Sequence, residues 1–304
     1  MNNLRSKLFK ITAFCLAVFA STLTMAQQDF QGVATYQSKT TVDLDKWGGD
    51  KMSPERKKMI MERMKSMFEK TFILTFNRTE STYKEEEKLG APGSGGGFGG
   101  MMGSFTPGTQ YKNVKDGDLL QDQEFFGKQF LIKDKLEKLE WKMTGETKQI
   151  GQYMCMKATA IKKVDAMDFS NMRRKNKDKE EKDEDDKKVK DSTKSDKNDT
   201  PEDMMDQIEI PEEIEVIAWY TMQIPVNQGP GEYWGLPGLI LEASSGRTTI
   251  LCSKIVLNPG VKEEIKKPTK GKEVTKQEYA DIVKQKVEEM REMYGGRNRG
   301  QRRN

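Results

Sequence analysis

Residues 229–241, GPGEYWGLPGLIL, constrain the fold of this chain more than any other stretch. They hold four glycines and two prolines, and strand-forming residues flank them at 217–225 and at 239–241. Glycine adopts positive φ without steric cost, and proline fixes φ and removes a hydrogen-bond donor. The stretch therefore predicts two strands joined by a closely specified turn that holds Tyr233 and Trp234.

Short segments of alternating apolar and polar residues, punctuated by Gly or Asp-Gly turns, recur along the chain. Good examples lie at residues 30–39, 71–77, 149–160 and 247–257. Such a succession is typical of an antiparallel meander rather than a parallel sheet. We therefore predict a mainly β (α+β) domain over residues 27–260, built as a single curved antiparallel β-sheet or half-barrel.

Two segments predict helices. Ser53-Pro54-Glu55 supplies an N-cap, a proline at the first helical position and an early acidic residue. A Met-rich apolar face follows at helical spacing: Met59, Ile60, Met64, Met67 and Phe68. We expect this amphipathic helix, residues 53–70, to pack on the sheet. Thr275 to Glu278 form a capping box for a second helix that we expect to stop at Gly295-Gly296. It lies in a C-terminal region, residues 261–304, of basic linker, helix and basic tail.

Two segments lack the composition of a folded core. Residues 88–108 are rich in glycine and lack the Lys-Ser/Thr and helix of a phosphate-binding loop. Residues 165–205 contain a dense tract of both charges in which Val189 is the only aliphatic residue between residues 173 and 199. Such tracts bury too little apolar surface to offset chain entropy, so we predict both segments as disordered insertions.

Residues 1–26 have the pattern of a cleaved secretory signal peptide. A basic start precedes an apolar run at 11–23, which ends in Thr24-Met25-Ala26, a small-x-small cleavage signal. The run is too short to span a bilayer well, and Cys15 lies inside it rather than at the cleavage point. We therefore expect a protein that is exported to the periplasm. The alternatives are association with the outer membrane and secretion.

Composition excludes several classes of function. The chain has no histidine, which removes Ser-His and Cys-His dyads and the usual zinc sites, so we expect no catalytic residues, no metal and no cofactor. The formal net charge of +4 falls to about +1 when Arg5, Lys7 and Lys10 of the signal are set aside, so nucleic acid is not an expected partner. Of the two cysteines left after cleavage, Cys155 and Cys252, each is either half of a disulfide or a small buried hydrophobe.

The hexapeptide Gly235-Leu236-Pro237-Gly238-Leu239-Ile240 resembles the signature of the GLPGLI family of exported bacterial proteins. Three further features are similar to that family: the segment from Trp141 to Ala158 with its Tyr153 and Cys155, the strand Ala218-Trp219-Tyr220-Thr221, and Gly229-Pro230. The resemblance covers about residues 30–257 and implies an exported cell-envelope protein. It carries no particular reaction with it.

The candidate binding and motif residues are the turn and the aromatic residues around it. They are Trp219, Tyr220, Gly229, Pro230, Tyr233, Trp234, Gly235, Leu236, Pro237, Gly238, Leu239 and Ile240. The aromatic residues either line a pocket for a sugar or lipid, or fill and edge a β core. The turn either presents Tyr233 and Trp234 or closes one end of the sheet.

Other residues suggest weaker alternatives. Methionines, including Met154 and Met156, could bind Cu(I), but alternation puts them on the strand face opposite Cys155, and packing is their usual role. Glu212-Glu213, Glu215 and Glu232 could form the paired carboxylates of a hydrolase. The basic tail from Arg297 either contacts an anionic membrane surface or frays in solvent.

We therefore predict a non-enzymatic periplasmic or cell-envelope binding or interaction protein. Its expected partner is a cell-envelope protein or a hydrophobic ligand. The alternative is a carrier of a lipid or other hydrophobic ligand in the half-barrel; a hydrolase and a Cu(I)-binding protein are less favoured.

Overall fold

The structure, a computed structural model, describes residues 30–41, 52–86, 108–164, 173–174, 208–209 and 211–300. The predicted signal peptide, most of both predicted insertions and the end of the basic tail lie outside the described residues. The account below concerns the described part of the chain.

Twelve strands form one sheet. In chain order they are β1 Gln31–Thr40, β2 Glu69–Asn77, β3 Glu80–Glu85, β4 Gln110–Asn113, β5 Asp118–Phe125, β6 Lys128–Lys135, β7 Lys142–Ile150, β8 Tyr153–Lys163, β11 Glu213–Thr221, β12 Leu239–Ser245, β13 Thr248–Leu257 and β14 Lys272–Val274. Two further strands, β9 Arg173–Arg174 and β10 Ile208–Glu209, form a separate two-residue ladder. The order across the large sheet is β14-β6-β5-β4-β3-β2-β1-β13-β12-β11-β8-β7.

The predicted mainly β fold with a single curved sheet is confirmed. The sheet is open at β14 and β7 rather than closed into a barrel. All pairs of neighbouring strands in this sheet are antiparallel except β14 and β6, which are parallel. Register shifts in β1, β7 and β11 mark bulges, which raise the local twist of a sheet.

One end of the sheet is buried on both faces. A first core cluster joins Tyr36, Leu74 and Phe76 to Cys155, Leu239 and Leu241. A second cluster holds Ala158, Ala218, Tyr220, Leu236, Ile240 and Ala243, with Met156 packed against it. Consecutive residues of β8, β11 and β12 thus belong to different clusters, as expected where side chains alternate between two covered faces.

Both predicted helices are present. The first, α1 Pro54–Phe68, begins at the predicted cap, because the Ser53 hydroxyl oxygen accepts from the Arg56 N–H at 3.3 Å. It runs directly into β2. Its Met59 side chain is 65% exposed, whereas Ile60 and Phe68 are half-buried, so the sheet does not cover the whole predicted Met-rich face.

The second helix, α2 Lys276–Gly300, begins with the predicted capping box: Glu278 N–H donates to the Thr275 hydroxyl, and Thr275 N–H donates to the Glu278 carboxylate. The predicted stop at Gly295-Gly296 is wrong, since the helix continues to Gly300; glycine in a helix interior costs only about 1 kcal/mol. Tyr279 and Val283 pack against Phe125 and Phe130 of the sheet. No helix in the described residues is both long and apolar enough to cross a membrane.

Residues 258–271, most of which lie in the basic linker predicted to begin at residue 261, form a strap across the sheet. Thr75 of β2 donates to the Glu263 carboxylate at 3.0 Å, and the Lys267 ammonium lies 5.2 Å from the centre of the Tyr111 ring of β4. A Cβ on Gly271 would lie 2.7 Å from the Phe130 carbonyl carbon of β6, so the backbone there rests directly on the sheet. The strap then pairs with β6 as β14.

Candidate functional site

Residues 222–238, here called the motif loop, wrap around the ends of β11 and β12. Ile224 and Val226 belong to the first core cluster, whereas Leu236 belongs to the second and Tyr233 packs against it. The loop therefore covers both faces of the sheet. This arrangement corresponds to the predicted alternative in which the turn closes one end of the sheet.

Two glycines of the motif are required by close backbone packing. A Cβ on Gly238 would lie 2.1 Å from the carbonyl oxygen of Thr221, and a Cβ on Gly229 would lie 2.7 Å from that of Tyr233. Gly235 has a φ of 91°, which favours glycine for a different reason. The spacing of glycines in the motif thus reflects how the loop packs on its own strands.

Backbone hydrogen bonds fix the loop further. Leu239 N–H donates to Ile224 O at 2.9 Å, and Ile240 N–H donates to Gln228 O at 3.0 Å. The buried Tyr36 hydroxyl of β1 donates to Ile240 O at 2.7 Å. The loop is therefore preorganised, because backbone hydrogen bonds fix it internally and a side chain of β1 fixes the start of β12 beside it.

Lys112 of β4 is buried completely beneath the loop. Its ammonium donates to Gly229 O at 2.7 Å and to Tyr233 O at 3.2 Å. Burial lowers the pKa of Lys112 to about 7, although the negative charge of Glu232 acts in the opposite direction. Sequence reasoning missed this residue, because a lysine in a short polar strand normally faces solvent.

Glu232 binds two lysines from different parts of the fold. Its carboxylate lies 2.8 Å from the Lys162 ammonium of β8 and 3.4 Å from the Lys276 ammonium at the start of α2. Burial alone would raise the pKa of Glu232, but the two lysines hold it at about 2. The residue therefore acts as an anionic bridge between the loop, β8 and α2.

The structure does not bring the predicted acidic residues together. Glu212, Glu213 and Glu215 are exposed, and the last two alternate along β11 with the buried Ile214. Glu232 instead contacts Lys162, the cross-strand neighbour of Ile214. The carboxylates of Glu213 and Glu215 thus lie on the strand face opposite Glu232, so the arrangement does not offer a hydrolase pair.

The polar groups and rings of the aromatic candidates largely contact other parts of the fold. The Trp141 indole N–H donates to Trp234 O at 2.8 Å, and the Trp234 indole N–H donates to Glu137 O at 2.9 Å. Tyr220 is buried, with its hydroxyl 3.4 Å from the Met143 sulfur. Trp219 is half-buried, with the Lys148 ammonium 4.3 Å from its ring centre.

The two cysteines are free thiols in the structure, and both belong to the first core cluster. Burial raises the pKa of Cys155 to about 11 and that of Cys252 to about 12. Met154 is exposed and Met156 half-buried, on the strand face opposite Cys155. In the described part of the chain, no group of three or more His, Cys, Asp and Glu residues is placed to hold a metal ion.

An open recess of about 340 Å³ lies away from the motif loop. It occupies the place where β4 begins only at Gln110, whereas β3 and β5 run on to Glu85 and Phe125. Most of the residues that line it are polar or charged: Lys84, Glu85, Gly108, Thr109, Asp122, Gln123, Glu124, Gln129, Phe130 and Lys270. Walls of this kind suit a polar ligand rather than an acyl chain.

The two edges of the sheet differ. The edge strand β14 has three residues, and its Val274 packs with Tyr279 and Val283 of α2. The edge strand β7 has nine residues, seven of them exposed, and pairs only with β8 among the described strands. The sheet thus has one short, covered edge and one long, exposed edge.

Comparison with known proteins finds a family match over part of the chain and no activity. A family described as a protein of unknown function (Porph_ging) matches residues 141–242, which run from the start of β7 through the motif loop into β12. The match supports a bacterial family of unknown function and does not carry the GLPGLI name. No curated protein matches the chain.

Two solved structures of PNGF-II, in space groups C2 and P21, are similar to the chain at 15% and 14% identity, with TM-scores of 0.43 and 0.42. The alignments cover 84% of this chain but only 32% and 33% of those chains. The chain therefore spans about a third of the length of these structures, and a likeness this distant carries no argument about function.

Proposed function

We propose that this protein is a non-enzymatic interaction module of the bacterial cell envelope that binds an extended segment of a partner protein along β7. The observation that supports the proposal is the long exposed edge of the sheet at β7. Export to the periplasm rests on the predicted signal peptide. An exposed edge presents a row of backbone donors and acceptors to which an extended chain can add as a further strand.

The edge has the length and rigidity that strand addition needs. Nine residues at about 3.4 Å each would extend for about 30 Å, and the regular part beyond the bulge, Thr147–Ile150, covers about 14 Å of that length. The neighbouring strand β8 is held firmly, because it forms eight register pairs with β11 and buries Ala158 and Ala160. A preorganised edge loses little conformational freedom on binding.

The side chains of β7 indicate the chemistry of the partner. Glu146 is paired with Lys157 at 2.8 Å and Lys148 with Glu242 at 2.7 Å, so these charges are already compensated. Lys142 is exposed and forms no ion pair with a described residue. The bulge between Met143 and Thr147 interrupts the ladder with β8. We therefore propose an extended partner segment that pairs with Thr147–Ile150 and places an acidic residue near Lys142.

The other functions considered receive less support. Beside the motif, both sheet faces are filled by the loop and the two core clusters, and the open recess has polar walls, which does not favour a lipid carrier. The hydrolase alternative needs carboxylates on one face, and Glu215 and Glu232 lie on opposite faces of β11.

Site-specific photo-crosslinking in the native cell envelope tests the proposal. A photoreactive amino acid is placed at Thr147 or Gln149 of β7, with Lys254 of β13 as an equally exposed strand control. We expect the two β7 positions to crosslink to the same protein and the control not to do so. Lys142→Glu should reduce this product, whereas Lys163→Glu, an exposed lysine of β8, should not. Equal crosslinking from Lys254, or none from β7, would contradict the proposal.

A further inference from the structure

We propose that the recess between β3, β5, β6 and the strap binds a small zwitterion, a free amino acid or a short peptide. Its ammonium group lies at Asp122 and Glu124, and its carboxylate lies at Lys84 and Lys270. The proposal is independent of the partner segment at β7. It rests on the shape of the recess and on charged side chains that form no ion pair with a described residue.

Backbone packing forms the walls of the recess. A Cβ on Gly108 would lie 2.3 Å from the Asp122 carbonyl oxygen, so the chain entering β4 rests directly on β5. At the other side, Gly271 of the strap rests on Phe130 of β6 with a similarly short approach, 2.7 Å. Neither wall depends on a side-chain rotamer. The recess is therefore formed before any ligand enters.

The floor of the recess has an undercompensated negative charge. The Asp122 Oδ1 atom is buried and accepts no hydrogen bond in the described structure. Burial raises the pKa of Asp122 above its ordinary value, although the Thr109 backbone acts in the opposite direction. Glu124 adds an exposed carboxylate to the wall. The Oδ1 atom itself packs against Gly108, but Asp122 and Glu124 both line the recess, so a ligand cation there would lie beside two carboxylates.

The sides of the recess carry positive charge. Lys84 and Lys270 are exposed, and neither forms an ion pair with a described carboxylate. Glu85, the acidic neighbour of Lys84, is already bound by Lys70 at 2.9 Å. Two ammonium groups are therefore free to bind a ligand anion.

The width and the volume of the recess limit the size of the ligand. Lys84 lies on β3 and Lys270 lies beside β6, three strand positions away in the sheet. Three spacings of about 4.8 Å place the backbones that carry the two lysines about 14 Å apart, so the recess between them has room for a ligand as long as a short peptide. A volume of about 340 Å³ accommodates a ligand up to this class. Opposite charges at separate points of one recess are complementary to a zwitterion rather than to a single ion.

Titration calorimetry of the full chain with three probes tests the proposal. The probes are L-alanyl-L-alanyl-L-alanine, its N-acetylated form and its C-terminal amide. We expect the free tripeptide to bind and each blocked form to bind at least about tenfold more weakly, since each loses a charge-assisted hydrogen bond. Equal affinity for all three probes, or no binding by the free tripeptide up to about 10 mM, would overturn the proposal.

Variants assign the two ends of the ligand. Asp122→Asn should abolish the preference for the free over the acetylated peptide, and Lys84→Gln with Lys270→Gln should abolish the preference for the free acid over the amide. Lys138→Gln, an exposed lysine outside the recess, should leave both preferences intact. If Asp122→Asn does not fold, the comparison of the three probes on the wild-type protein still tests the proposal. Binding of maltose with the same dependence on these variants would exclude a zwitterion and overturn the assignment.

Discussion

The buried Lys112 predicts that the protein becomes more stable as the pH rises from 7 to 9. Its folded pKa of about 7 lies below the ordinary value of 10.5, so in this range the unfolded chain binds more protons than the folded chain. Stability then rises with pH by up to about 1.4 kcal/mol per unit. Because the folded lysine is half-protonated at pH 7, we expect a gain of about 2 kcal/mol between pH 7 and 9.

The upper end of this window is set by other groups. The thiols of Cys155 and Cys252 and the buried hydroxyls of Tyr36 and Tyr83 have pKa values raised by burial. The folded state therefore retains protons that the unfolded state releases above their ordinary pKa values of 9.0 and 10.0. Their contribution lowers stability above pH 9, so the predicted curve rises and then turns over.

Urea denaturation of the full chain at pH 7, 8 and 9 measures this effect. The wild-type midpoint should increase at each step, whereas Lys112→Met, which keeps the apolar stem and removes the charge, should give a flat profile that falls slightly towards pH 9 as the unfolded thiols ionise. Lys138→Met, at an exposed position, should retain the wild-type slope. A rise of the same size in Lys112→Met, or a wild-type stability that falls from pH 7 to 9, would refute the assignment to Lys112.

Three further predictions concern the motif loop and the core. Gly238→Ala should lower the free energy of unfolding by at least about 2 kcal/mol, because its Cβ meets Thr221 O at 2.1 Å, whereas Gly260→Ala, with open space around it, should change it by less than about 0.5 kcal/mol in urea titrations. The wild type should lose stability as the pH falls from about 4.5 through about 2, because the folded pKa of Glu232 is lowered, and Glu232→Gln should lose less; equal acid profiles would contradict this. Ellman's reagent should react slowly with Cys155 and Cys252 in the folded protein and fully in urea; no reaction in urea would show a disulfide instead.

Local features of the structure could be predicted from the sequence, and long-range features could not. Alternation along β8, the Ser53 cap and the Thr275 capping box depend on neighbouring residues, so the pattern alone indicates them. The burial of Lys112 depends on carbonyl groups at Gly229 and Tyr233, more than a hundred positions along the chain. No periodicity of a four-residue strand contains that information.

The same limit applies to the candidate site. The glycines and prolines of the motif predict a specified turn. The reason why each position needs glycine, however, depends on contacts with Thr221 and Ile240, which only the structure shows. The strap could not be predicted either, because its charged sequence resembles a solvated linker. It is Thr75 and Phe130, on strands far away in the chain, that fix its path.

The motif loop connects parts of the sheet that would be far apart if the sheet were flat. Lys112 on β4 and Lys162 on β8 both bind the turn at 229–233, although seven strand steps separate β4 from β8 in the sheet. In a flat sheet, seven spacings would amount to about 34 Å, so contacts to one turn require strong curvature. The loop lies where that curvature brings the two strands together.

This position gives the motif a consequence for β7. Trp234 of the loop is hydrogen-bonded to Glu137 and Trp141, in the segment that leads directly into β7. The loop therefore fixes where the exposed edge begins, while its own polar groups are largely used within the fold. If the proposed partner segment binds β7, the motif affects binding through position, because substitutions in the loop would weaken binding by moving that edge. Trp234→Phe, which removes the indole N–H bond to Glu137 together with part of the ring system, should thus reduce crosslinking from Thr147 without changing the residues that contact the partner. An unchanged crosslinking yield would contradict this coupling.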